Sequence, residues 1–181
     1  MSNLTDRIPV LVRGPLRFGL IGGVLGFALV SILYLVGAHP FLMPVYLDFR
    51  IILLSVFIIF SLKELRDYYF KGLLYFWQGM MASFVLTASF ALVAGALLFA
   101  LGRLAPEFVS SYVDQSLTLL RAYPPEVIEQ IGKETFDLML ATLPDTTAFD
   151  LASMYFWRSY VIGLFVSIII SVILRRQPQI Q

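Results

Sequence analysis

From Gly72 to Gly102 the chain runs without one charged side chain. A helix rises about 1.5 Å per residue, so crossing a hydrocarbon core of about 30 Å takes roughly 20 apolar residues. This stretch exceeds that need and predicts a spanning helix that tilts or projects into the interface. Three more stretches meet the same test: Phe18 to Ala38, Phe41 to Leu62, and Leu151 to Leu174. The second meets it only by including Asp48 and Arg50, since its uncharged core starts at Ile51. The fourth carries one charge, Arg158. Charged residues make up 14% of the chain, against about 25% in a soluble domain, so its surface cannot be mainly water-facing.

The first stretch has an alternative reading as a signal peptide, with Arg13 and Arg17 as its basic region and Val36-Gly37-Ala38 as a small-residue cleavage site. Its apolar run is longer than the roughly 7 to 15 residues of a signal core, and three further spans follow, so we expect it to be retained. Basic residues resist translocation and collect on the cytoplasmic side. Eight of the 13 bases lie in the N-terminal arm (Arg7, Arg13, Arg17), the connection after the second span (Lys63, Arg66, Lys71) and the tail (Arg175, Arg176). The connection from Arg103 to Asp150 has three bases and eight acids. It is expected to face outward, leaving both termini cytoplasmic.

That connection, about 103–150, has helical periodicity of its own and predicts an amphipathic hairpin. Pro106-Glu107 opens a first helix with Phe108, Val109, Tyr112, Val113, Leu117 and Leu120 on its apolar side. Tyr123-Pro124-Pro125 breaks it, and a second helix with Val127, Ile128, Ile131, Phe136, Met139, Leu140 and Leu143 runs on to Pro144. Thr147 and Asp150 fit a capping box for the last helix. On the opposite side, Lys63 to Lys71 mixes charges with Tyr and Phe, as interfacial anchors do, and Trp77 and Trp157 fit the same role.

In lipid, helices associate through close packing and hydrogen bonds instead of escape from water, and small residues favour both. Gly19, Gly22, Gly23 and Gly26 mark one side of the first span. Gly79, Ser83, Thr87, Ala91 and Gly95 mark the third at four-residue intervals, and Ser159, Gly163, Ser167 and Ser171 the fourth. These stripes predict packing within one bundle, with a homodimer or a partner helix as the alternative.

Ionisable groups inside a membrane are functional suspects because they are costly there. Asp48, Arg50 and Arg158 fall near the outer ends of their spans. They read as snorkelling groups or an Asp48 to Arg158 ion pair, with a crevice for an anionic lipid headgroup as the functional alternative. With one histidine and no cysteine the usual zinc clusters are precluded, and no phosphate loop or nucleophile elbow occurs. No catalytic residue, metal or cofactor is expected. A net charge of +1 argues against nucleic acid as a partner.

The run Phe18-Gly-Leu-Ile-Gly-Gly-Val-Leu-Gly26, the pair Arg66-Asp67 followed by Phe76-Trp-Gln-Gly79, and the terminal Gly163-Leu-Phe-Val-Ser-Ile-Ile-Ile-Ser-Val-Ile-Leu-Arg-Arg176 together resemble the family catalogued as domain of unknown function 4199. The resemblance covers nearly the whole chain. It implies a small bacterial multispan inner-membrane protein, found largely in Bacteroidota, and brings no catalytic residues. The expected fold is thus all-α: a single membrane domain of residues 1–181, a four-helix integral bundle with an outward amphipathic helical hairpin between spans three and four. The expected role is that of a non-enzymatic accessory or scaffold subunit, surrounded by membrane lipids and presenting the hairpin to an envelope protein partner. A small dimeric transporter or a lipid-binding protein is the alternative.

Overall fold

The computed structural model describes residues 4–37, 39–43 and 48–177, with side chains from Val10 onward. Ala38 and residues 44–47, within the expected bounds of the first two spans, lie outside the described residues, as does the Arg7 side chain. The fold is all-helical: α1 (Leu4–Leu35), α2 (Phe49–Glu64), α3 (Phe76–Leu104), α4 (Pro106–Arg121), α5 (Pro125–Ile131), α6 (Lys133–Thr142) and α7 (Ala148–Leu174). Among the described residues, three segments are long and apolar enough to cross a membrane: Val10–Leu35, Phe76–Leu104 and Ala148–Leu174.

The second expected span differs. Its α-helix starts at Phe49 rather than Phe41 and has 16 residues, short of a full crossing. The reason is local: Pro40–Leu42 forms a 3-10 turn, and the Asp48 carboxylate accepts from the Arg50 backbone N–H at 3.0 Å, which caps a new helix there. At its other end α2 runs without a break into five π-helical residues, Leu65–Tyr69. The first helix, conversely, starts well before Phe18, because Leu11 and Pro15 in its early turns are buried.

α3 lies between α1 and α7, and α2 touches both of these and, less extensively, α3. Small residues make this closeness feasible. A side chain at Gly23 would fall 2.8 Å from the Phe90 carbonyl oxygen, and one at Gly19 would collide with Ser89 and Leu86. On the other face of α3, Gly79 abuts Ser171 and Gly163 abuts Thr87. Leu54, Ile58, Leu86, Phe90 and Leu98 fill the space between the helices. At the end opposite the hairpin, Arg17 pairs with Glu64 at 3.0 Å, and Leu74 and Arg176 exchange backbone hydrogen bonds of 2.9 and 2.8 Å that tie the tail to the start of α3.

The hairpin's first helix, α4, buries Phe108 against the core, and its Ser116 is buried as well. The expected second helix is two helices, α5 and α6, separated at Gly132. Gly132 adopts φ 90 and ψ 128, a backbone region that side chains with a Cβ rarely enter. Of the apolar residues assigned to that second helix only Phe136 is buried. α7 opens with the expected box: Thr147 Oγ1 accepts from the Asp150 N–H at 3.3 Å, and Asp150 Oδ2 accepts from the Thr147 N–H at 2.8 Å.

Candidate functional site

Asp48, Arg50 and Arg158 meet at one cavity of about 400 Å³ near the hairpin end, between α1, α2 and α7. The pairing within it differs from expectation. Asp48 is bound by Arg50, not by Arg158: the Arg50 Nε–H donates to both carboxylate oxygens, at 2.7 and 2.9 Å, and Nη2 closes a second contact. Asp48 reaches its neighbour because it stands at the cap, outside the first turn of α2, where its carboxylate can swing back over residue 50.

The remaining donors of Arg50 are also engaged. Nη1 donates to the Tyr155 carbonyl at 3.4 Å and the Ser159 hydroxyl at 3.3 Å, and the guanidinium lies 4.8 Å from the centre of the Tyr155 ring. Arg50 is 7% exposed. It is a neutralised, fixed wall of the cavity. Arg158 differs in each respect: it is exposed, it has no carboxylate partner among the described residues, and Nη1 donates only to the Phe41 carbonyl at 3.4 Å. The other walls are mostly apolar, formed by Val30, Phe41, Phe49, Trp157, Val161 and Ile162.

An aromatic cluster adjoins Phe41. His39 is 3% exposed, with ring centres of Phe108 and Tyr112 at 5.1 and 5.3 Å and Tyr34 at 6.0 Å. Its Nε2 lies 3.2 Å from the Phe108 carbonyl oxygen. A carbonyl only accepts, so Nε2 carries the proton and Nδ1 is a buried acceptor without a partner among the described residues. Burial pushes the His39 pKa below its ordinary value, and the bond to Phe108 opposes this only in part. This cluster ties the α1 to α2 connection to α4. The sequence offered a single histidine as its only signal.

The small-residue candidates all lie inside the chain's own packing. Gly19, Gly23 and Gly26 face α3, while Gly22 meets Phe57 of α2 as well as Phe90. Gly79, Ser83, Thr87, Ala91 and Gly95 are buried, as are Ser159, Gly163, Ser167 and Ser171. Ser159 has a further role as a partner of Arg50. At the opposite end of the bundle Tyr68 and Tyr69 are exposed, and Arg66 pairs with Asp67 at 2.7 Å. Trp77 is exposed near that end and Trp157 at the cavity. Among the described residues no three His, Asp or Glu side chains converge where a metal ion could sit.

Apolar helices packed through small residues around a charged cavity define the class: an all-helical protein with, among the described residues, three helices able to cross a membrane. The chain belongs to the family described as protein of unknown function (DUF4199), which matches residues 17–176. No curated protein and no solved structure matches it.

Proposed function

We propose that the chain is a non-enzymatic, four-span protein of a bacterial inner membrane that receives an amphiphile in the cavity between α1, α2 and α7. The carrying observation is the convergence of Arg50, Asp48 and Arg158 on a space otherwise walled by apolar and aromatic side chains. Charges near a lipid boundary are costly unless paired or used, and Arg158 has no carboxylate partner among the described residues. The volume falls within the range of about 300 to 1,000 Å³ typical of small-ligand sites.

The fourth span in this reading is α2 continued by Leu65–Tyr69. Together they supply about 30 Å of helix, and the intervening side chains are apolar from Ile51 to Leu62 apart from Ser55 and Ser61. The basic residues at the end opposite the hairpin support cytoplasmic termini and an outward hairpin. The cavity then lies at the outer leaflet. Arg158 is 16 residues before the last residue of α7, about 24 Å along the axis, which suits a group at headgroup depth.

An accessory or scaffold role is the second reading, favoured by the hairpin. Leu119, Leu138 and Met139 are exposed there among the exposed acids Glu126, Glu129, Glu134 and Asp137, a surface suited to an envelope protein. Mild purification followed by mass spectrometry of both lipids and proteins separates the two. A stoichiometric amphiphile supports the cavity reading. A reproducible protein partner with no retained amphiphile supports the scaffold.

A further inference from the structure

We infer that the ligand of this cavity is an amphiphile whose head carries a single negative charge, a carboxylate or a phosphate diester, and that Arg158 is the residue that holds it. The inference rests on the cavity reading above and adds the chemistry of the head and the group that selects it.

The two arginines of the lining are unequal. Arg50 has its charge matched by Asp48 and its donors turned to Asp48, Tyr155 and Ser159, so an incoming anion would have to displace a buried ion pair to use it. Arg158 offers a planar fork of donors with, among the described residues, one hydrogen bond, at 3.4 Å, to a neutral carbonyl. The lining therefore carries two positive charges and one negative, a net charge of +1 in mostly apolar surroundings. One negative charge neutralises it. A doubly charged head leaves a surplus anion next to Asp48, and an uncharged head leaves Arg158 unmatched; both are penalised where water is scarce.

The walls specify the rest of the molecule. Val161 lies one helical turn beyond Trp157 on α7, and both are exposed yet line the cavity, so they border it on the surrounding acyl chains. Val30 and Ile162 continue the apolar surface inward. The head is thus held at Arg158 while the chain runs along α7, the arrangement expected for a fatty acid or an anionic phospholipid entering from the bilayer.

The test uses the full chain in neutral detergent and three probes: oleate, phosphatidylglycerol and monoolein. Oleate and monoolein differ in head charge, while oleate and phosphatidylglycerol represent the free-acid and membrane-lipid sources of the same chemistry. Wild-type protein is expected to bind at least one anionic probe about tenfold more tightly than monoolein, the increment of one charge-assisted bond. Arg158→Gln removes that preference, and Arg158→Lys keeps most of it. Because Arg158 makes so few contacts, Arg158→Gln is expected to elute and melt like wild type. Val161→Trp fills the cavity, leaves Arg158 in place and weakens all three probes. If wild type binds monoolein as tightly as the anions, or Arg158→Gln retains the anion preference, the head assignment is overturned while the cavity reading stands. If no probe binds wild type, the cavity reading falls and this inference with it.

Discussion

A carboxylate and a guanidinium two residues apart on a continuous helix point to different sides, and Asp48 meets Arg50 only because it caps α2 from outside the first turn. The consequence is a buried pair whose members depend on each other. Arg50→Ala leaves Asp48 unpaired and is expected to destabilise the protein by about 3 kcal/mol or more, whereas Arg158→Ala has little effect. Thermal unfolding in detergent compares them, and equal melting temperatures would contradict the assignment. His39 adds a pH dependence. Its folded-state pKa lies below the ordinary value of about 6.5, so the unfolded chain takes up the proton more readily. Stability is complete above that ordinary value and falls as the pH drops through it toward the folded-state pKa. Melting temperature is expected to decline over that acidic window, and His39→Phe, which keeps an aromatic ring in the cage, is expected to flatten the decline. The three charged residues were legible as suspects because charge in an apolar run is conspicuous. Their pairing was not, since it depends on where the helix starts, and hydropathy carries the span through from Phe41 without registering the cap.

Stripes of Gly, Ser, Thr and Ala were legible at the level of elements because four-residue spacing places them on one face whatever the neighbour. Which helix each stripe meets was not legible, and α3 proves to be shared, with α1 on one side and α7 on the other. The contacts separate glycines that matter from those that do not. Gly23→Leu and Gly163→Leu are expected to weaken the folded protein severely. Even Gly163→Ala lowers its melting temperature, since a Cβ there runs into Thr87. Gly95→Ala is tolerated, with its nearest neighbour at 3.5 Å, and Gly14→Ala, with nothing within 4 Å, is neutral or stabilising by up to about 1 kcal/mol through helix propensity. Unfolding curves for the four sites that fail to separate in this way would refute the packing map. The break between α5 and α6 escaped the sequence because Ile128, Ile131 and Met139 stay close to helical phase across Gly132. Gly132→Ala forces a side chain into a left-handed backbone position, and faster amide exchange in α5 and α6 with unchanged exchange in α3 is the expected result.

For the molecule as a whole, uncharged runs of about 20 residues or more already pointed to an all-helical chain, because a helix satisfies its backbone polar groups within one segment whereas barrel strands are about half that length. The bounds of α2 were the least legible, since a short α-helix joined to a π-helical turn has no distinct hydropathy signature. The central claim is that the chain crosses the bilayer with the hairpin on one side and the α2 to α3 connection on the other. The absence of cysteine makes a clean measurement available, because a single introduced thiol has no background. Glu129→Cys in the hairpin and Lys71→Cys before α3 are both exposed positions. On intact cells a membrane-impermeant maleimide is expected to label Glu129→Cys at once and Lys71→Cys only after permeabilisation. Equal labelling of both from outside, or the reverse order, would contradict the account.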